Sequence, residues 1–195
     1  MVLNALKSAL LSLFKTRGDA TDSRPRGEAT ALELDKIPEI SVARQKYADD
    51  PDRLGDFDDM YETAEWFLLG FKWHRKLLES RIGLYCPGLF GVYLFRIEPE
   101  SRNTPEWIWI VEGGSAAPPA VIFADRCPNG PAAFHEYIAA IGEWVHAVRN
   151  GKSLDKVIPV ALPPTLEEAD RVERQLRFMS KELYPDEVEF FEDLP

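Results

Sequence analysis

Three segments with strand-like composition lie in the middle of the chain, at residues 92–98, 106–112 and 120–124. Each is dominated by β-branched and aromatic side chains, and the connections between them are rich in Pro, Asn, Gly and Ser, which is typical of strands joined by turns. Because they follow one another closely, we expect a short antiparallel three-stranded sheet.

The second of these segments indicates how the sheet is covered. In a strand, alternate side chains point to opposite faces, so Trp107, Trp109 and Val111 share one face and Ile108 and Ile110 share the other. The side chains on both faces are largely apolar, so exposing either face to water would be unfavourable. Both faces of the sheet should therefore be covered by helices.

Helical spacing of apolar residues predicts three covering helices, at residues 56–81, 131–149 and 165–183. In the first, one buried face is expected to hold Met60, Thr63 or Ala64, Phe67, Phe71 and Leu78. Helices packed on an antiparallel sheet give an α+β domain, which we place at residues 32–195.

The N-terminal segment has a leucine stripe of its own. Residues 1–17 are predicted to form an amphipathic helix tethered by a flexible linker at 18–31, and the stripe consists of Leu3, Leu6, Leu10 and Leu13. Three partners for the stripe stay open: the chain's own domain, a second copy in a homodimer, or a membrane surface.

Removing residues 1–17 tests the docking of this helix. Burial of one leucine side chain is worth roughly 1.5 to 3 kcal/mol, so the deletion should lower the melting temperature. If the helix is exchanged between two copies, the mass in solution should fall to that of a monomer. An unchanged melting temperature would contradict docking on protein, and an unchanged mass would contradict exchange.

Gly113-Gly114-Ser115 lies between two predicted strands and invites comparison with a phosphate-binding loop. Such a loop needs a lysine after its glycines and backbone N–H groups at the start of a helix. No lysine follows here, and Pro118 and Pro119 lack an N–H. We interpret the glycines as a turn.

The net charge of the chain indicates which kinds of partner it can attract. The 195 residues carry a formal net charge of -10 with a pI near 4.9, which repels nucleic acid and favours a basic protein. Cys86 and Cys127 are far apart in sequence and are interpreted as buried, reduced thiols. No apolar run reaches the roughly 20 residues of a membrane span, and we expect a cytoplasmic protein.

A pocket between the sheet and the helix at 131–149 is one candidate site. Aromatic walls and a few polar groups are typical of small-ligand pockets, and the candidates are Trp107, Trp109, His135, Tyr137, Glu143 and His146. His135 and His146 lie about three turns apart, too far to share one metal ion. We identify no catalytic constellation, no metal site and no cofactor motif.

Acidic and aromatic residues form a second kind of candidate, a surface for a protein partner. Asp56, Asp58 and Asp59 begin the first predicted helix, and Phe190 and Phe191 lie among acids in the C-terminal tail. Such a mixture suits a basic, partly apolar groove. The tail's alternative is to pack on its own domain.

Several stretches resemble an uncharacterised family of small bacterial proteins: WIWIVEGG, PPAVIF, YIAAIGEWVHAVRNGKS, VIPVALPPT and RQLRFM. The resemblance covers roughly residues 90–183. It implies a bacterial cytosolic protein and carries no catalytic residue with it.

These observations predict a non-enzymatic, acidic protein-binding module, with a cytosolic immunity-type protein that neutralises a basic toxin as its most concrete form. The alternative is a small-ligand-binding protein or an enzyme that uses the pocket beside the helix at 131–149.

Overall fold

The computed structural model describes residues 31–70, 74–100, 104–114, 117–184 and 188–190. The helices are α1 (Ile40–Gln45), α2 (Pro51–Gly70), α3 (Gly130–Arg149) and α4 (Leu166–Phe178). The strands are β1 (His74–Cys86), β2 (Phe90–Pro99), β3 (Glu106–Gly113), β4 (Ala117–Phe123) and β5 (Glu189–Phe190). The predicted N-terminal helix and linker, with Leu3, Leu6, Leu10 and Leu13, lie outside the described residues apart from residue 31.

The strands form one antiparallel sheet in the order β4-β3-β2-β1-β5. The α+β class and the antiparallel pairing are confirmed, but the prediction of three strands is wrong. β1 is a fourth long strand, and a two-residue fifth strand from the tail adds to its free edge, with Phe190 opposite Leu84. The tail therefore packs on its own domain at this point, while Phe191 lies outside the described residues.

Helices cover both faces of the sheet, as the apolar pattern of β3 predicted. Trp109 and Val111 lie in a core cluster with residues of α3 and α4. Ile108 and Ile110 lie in a second cluster with residues of α1 and α2. Strict alternation along β3 thus divides the hydrophobic core into two layers.

The predicted helix at residues 56–81 is wrong at both ends. It begins earlier, at Pro51, where the Asp50 side chain accepts a hydrogen bond from the Arg53 N–H at 3.1 Å and caps the first turn. It ends at Gly70. Residues 74–81 belong to β1 instead, and Leu78, expected to be buried, is 39% exposed.

Local propensity explains this error. The stretch Lys76-Leu77-Leu78-Glu79 consists of good helix formers, yet β1 pairs with β2 from His74 opposite Pro99 to Cys86 opposite Phe90. These long-range pairings override local preference. Of the other residues expected on the buried helical face, Met60 and Ala64 are buried, Thr63 is exposed and Phe67 is partly buried. Phe71 lies outside the described residues.

The start of α3 is held against β1. The Asn129 side chain accepts a hydrogen bond from the Ala132 N–H at 3.0 Å and caps the helix. Just after the cap, Gly130 approaches Gly83 of β1 so closely that a Cβ atom on Gly130 would lie 2.5 Å from the Gly83 carbonyl carbon. This contact fixes the position of α3 on the sheet.

The helices predicted at 131–149 and 165–183 are confirmed as α3 and as α4 with its continuation, a π-helical turn at Met179–Leu183. Thr165 caps α4 through its hydroxyl, which accepts from the Glu168 N–H at 3.3 Å. None of the described helices combines the length and the apolar character needed to cross a bilayer.

Candidate functional site

A pocket of about 320 Å³ lies between α2 and the turns that join β1 to β2 and β3 to β4. Its walls combine acidic side chains, one apolar side chain and two glycines. They consist of Asp56, Asp59, Met60 and Thr63 from α2, together with Gly88, Glu112 and Gly114. We call this set the Glu112 pocket.

The outer wall of the pocket follows from helical spacing. Asp56, Asp59, Thr63 and Trp66 are separated by three, four and three residues, so they form one stripe along α2. Asp56 and Asp59 are exposed, and Trp66 is 74% exposed. A large aromatic side chain therefore lies about one turn beyond the acidic pocket on the same face.

Glu112 forms the inner wall and is 3% exposed. It has the same parity along β3 as Ile108 and Ile110, so it points to the face covered by α2. Its Oε1 atom accepts a hydrogen bond from the Gly114 N–H at 2.9 Å. Its Oε2 atom is buried and has no hydrogen-bond partner among the residues that the structure describes.

The environment of Glu112 changes its protonation. Burial raises the pKa of this carboxyl from 4.5 to about 7, and the hydrogen bond from Gly114 opposes the rise. No lysine or arginine is among the described residues that line the pocket. Near neutral pH, Glu112 is therefore divided between its acid and its carboxylate forms.

A second buried polar group lies on the neighbouring strand. Gly91 is the cross-strand partner of Glu112, and a Cβ atom on Gly91 would lie 2.4 Å from the Tyr93 ring. The ring therefore covers Gly91. The Tyr93 hydroxyl has no hydrogen-bond partner within the described part of the chain, and burial raises its pKa well above the usual value, so it stays neutral.

Two glycines that line the pocket lie in turns. Gly88 and Gly114 have φ angles of 67° and 55°, in the left-handed region that favours glycine. Gly113 pairs with Ala117 across β3 and β4 and Gly114 lies in a turn, as predicted for these two glycines, while Ser115 lies outside the described residues.

The three aspartates predicted as a partner surface are divided by the structure. Asp58 is half-buried and pairs with Arg44 of α1, whose Nε donates to Oδ1 at 2.5 Å. Asp56 and Asp59 point to the Glu112 pocket. The described residues hold no group of three or more His, Cys, Asp or Glu placed to bind a metal ion, so these carboxylates are not arranged as a metal site.

Two of the residues proposed for a small-ligand pocket lie in the core. Trp109 is fully buried and its Nε1 donates to the Cys127 carbonyl at 2.9 Å. Tyr137 is fully buried and its hydroxyl donates to the Pro118 carbonyl at 2.8 Å. Trp107 is half-buried beneath the Arg96 guanidinium, 5.8 Å from the ring centroid.

The polar residues of that hypothesis lie elsewhere. His135 is exposed, with its ring against the edge of Tyr184. Glu143 and His146 line an open groove of about 490 Å³ between α3 and the segment at 152–157. The Nε2 atom of His146 lies 3.0 Å from the Lys152 ammonium. The structure thus separates these residues from Trp109 and Tyr137.

Both cysteines are buried as free thiols. Cys86 and Cys127 are buried and form no disulfide, as the sequence predicted. Burial also raises the pKa of the Cys127 thiol to about 12, which leaves little thiolate at neutral pH.

Comparisons with family models, with curated proteins and with solved structures find no match to this chain. The resemblance to an uncharacterised bacterial family stays a prediction. Sequence reasoning missed Glu112, although a signal was present: in the apolar segment EWIWIVE, a glutamate follows Ile108 and Ile110 on the same face of the strand.

Proposed function

We propose that this chain is a non-enzymatic, acidic protein-binding module whose partner is a basic protein. The binding surface is the stripe on α2 formed by Asp56, Asp59 and Trp66, together with the Glu112 pocket. A cytoplasmic immunity-type protein that neutralises a basic toxin is its most concrete form. A homodimer through the N-terminal helix belongs to the same proposal and is tested by removal of residues 1–17.

The observation that carries the proposal is that three acidic residues line one pocket. Asp56, Asp59 and Glu112 line it, and no cation among the described lining residues balances them. A net charge of -10 adds a long-range attraction for a basic protein. Charge complementarity of this kind gives fast association and selects against acidic partners.

Trp66 supplies the apolar part of the surface. Binding hot spots are enriched in tryptophan, and residues around them exclude water. Trp66 is 74% exposed, so packing against the described residues does not explain a large aromatic side chain there. A tryptophan beside a carboxylate pocket suits a partner that presents a lysine or arginine next to an apolar side chain.

The alternative of a ligand pocket between the sheet and α3 finds less support. Trp109 and Tyr137 are fully buried and already make hydrogen bonds to backbone carbonyls. The groove at Glu143 and His146 is open and lies against the segment at 152–157. Its lining is largely apolar, but it is open to solvent, whereas small-ligand sites bury most of the ligand surface.

Capture experiments with matched variants test the proposed function. The full chain, Asp56→Asn/Asp59→Asn and Trp66→Ala are each immobilised and exposed to a lysate of the source cells at low and at moderate salt. We expect a basic protein to be retained by the full chain at low salt and released at moderate salt. With that protein purified, each variant should weaken the Kd about tenfold or more.

The control for charge is Glu136→Gln/Glu167→Gln, which removes two exposed carboxylates from α3 and α4 on the opposite face of the sheet. It should bind as the unaltered chain does. The proposed binding surface on α2 would be overturned if Asp56→Asn/Asp59→Asn retained the same proteins. It would also be overturned if the control variant lost as much binding. Circular dichroism checks that each variant is folded.

A further inference from the structure

We propose that the Glu112 pocket receives the ammonium group of a single lysine side chain of the basic partner, with the Glu112 carboxylate as its counter-ion. This inference rests on the proposed function and deepens it. It assigns one cationic group and one anchoring residue to a surface that has so far been described by charge alone.

The two oxygens of the Glu112 carboxyl differ in their hydrogen bonding. A buried oxygen without a partner costs free energy, and such an atom in a native protein calls for an explanation. Within the described part of the chain, Oε2 of Glu112 is in this state, in a side chain that is 3% exposed. Oε1, in contrast, is held in place by the Gly114 N–H. The carboxyl is therefore oriented, with one oxygen left for a donor.

The chemistry of the remaining wall selects the donor. An ammonium group offers three N–H donors around a compact charge, whereas a guanidinium offers a planar fork suited to one carboxylate. The pocket presents carboxylates from three separate positions, Asp56, Asp59 and Glu112. This arrangement differs from the one carboxylate that accepts both arms of a guanidinium. Met60 supplies an apolar wall against which the methylene stem of a lysine packs.

Binding of an ammonium group is linked to a proton. The titratable groups that face Glu112 are Asp56 and Asp59 on α2, Tyr93 on β2 and, across the sheet, Tyr137 on α3, whose pKa Glu112 helps to raise. Burial raises the pKa of both tyrosines, so they stay neutral near pH 7. Uptake of a cation therefore converts Glu112 from acid to carboxylate and releases its proton to solvent.

The Gly114 amide provides a direct readout, because its N–H donates to Glu112. The ¹⁵N-labelled full chain is titrated with n-butylammonium, which carries the end group of lysine, while the Gly114 amide shift is followed. Because the carboxylate fraction rises across this range, the apparent affinity should increase about tenfold between about pH 6 and about pH 8. Saturation should lower the titration midpoint of the Gly114 amide by about one pH unit.

Two variants and one competing ligand sharpen the test. Glu112→Gln should weaken binding and abolish its pH dependence, whereas Glu136→Gln should change neither. Ethylguanidinium should bind less tightly than n-butylammonium. The inference is overturned by an affinity for n-butylammonium that is flat with pH, by equal binding to Glu112→Gln, or by tighter binding of ethylguanidinium.

The captured basic protein separates this inference from the proposed function. If Glu112→Gln binds that protein as tightly as the unaltered chain does, while Asp56→Asn/Asp59→Asn does not, the protein-binding function stands and the lysine pocket falls. If n-butylammonium binds as expected but no basic protein depends on α2, the proposed function falls and the pocket stands as a site for a small ammonium ligand.

Discussion

Glu112→Gln is expected to stabilise the fold above neutral pH, raising the free energy of unfolding by about 3 kcal/mol at about pH 8.5. The reason is that glutamine keeps a side-chain oxygen for the Gly114 N–H and carries no charge. The unaltered protein must hold a carboxylate in a position that is 3% exposed and has no cation among the described residues that line it.

The direction of this pH dependence follows from the pKa values of Glu112 in the folded and the unfolded chain. Burial raises the pKa of Glu112 to about 7 in the folded chain, against an ordinary value of 4.5. Between these values the folded state binds more protons than the unfolded state, so stability falls as pH rises. Below about 4.5 the folded protein loses nothing through this group, and above about 7 the loss is complete.

Urea unfolding of both proteins at about pH 5 and about pH 8.5 measures the effect. The stability difference should widen by about 2.5 kcal/mol between these conditions. In a chain of this size that corresponds to roughly 5 to 10 °C in melting temperature at the higher pH. Glu136→Gln changes an exposed glutamate and serves as the control. Its free energy of unfolding should differ from that of the unaltered chain by the same amount at both pH values. A difference for Glu112→Gln that does not vary with pH would contradict the titration of Glu112.

Such a result would fit a general trade between stability and binding. Residues that serve a site are often held in states that do not optimise the fold. A glutamine at position 112 would relieve an unfavourable burial and at the same time remove the counter-ion proposed for a lysine. Stability gained together with binding lost would then distinguish a functional carboxylate from a structural one.

Elements whose local signals agree with their tertiary setting were predicted from the sequence. β3 consists mostly of β-branched and aromatic residues and is buried on both faces. α3 has a capping Asn129 and a proline in its first turn, Pro131, so composition and packing indicate the same structure in both elements. β1 shows the opposite case. Its helix-forming stretch at Lys76 to Glu79 is a strand only because β2 pairs with it. The sequence of the stretch itself does not indicate that pairing.

The candidate site was predicted in part for a similar reason. The acidic start of α2 is visible in the sequence, and it supplies Asp56 and Asp59. Asp58 is half-buried and pairs with Arg44, fourteen residues earlier in the chain. Glu112 joins the site only through the packing of α2 on β3. The spacing of residues within one helix is enough to predict a stripe on its surface. Predicting a pocket between a helix and a strand also requires knowing how the two elements pack together.

Gly130→Ala is expected to destabilise the fold by about 3 kcal/mol, because the new methyl group has no room. A Cβ atom there would lie 2.5 Å from the carbonyl carbon, 2.6 Å from the Cα and 2.8 Å from the oxygen of Gly83. All three are backbone atoms of β1, so no side-chain rotation relieves the contact. Gly130 is not among the glycines with positive φ, and the cost is therefore one of contact and not of backbone conformation.

Gly142→Ala is the matched control, since it makes the same change in the same helix. A Cβ atom at Gly142 meets nothing within 4 Å, and alanine in the middle of a helix is favoured over glycine by roughly 0.5 to 1 kcal/mol. Urea unfolding should therefore show opposite signs for the two variants. If Gly130→Ala were as stable as the unaltered chain, α3 would not rest on β1 at Gly83. The position of Trp109, whose ring lies 2.9 Å from a Cβ atom built on Gly83, would then need another explanation.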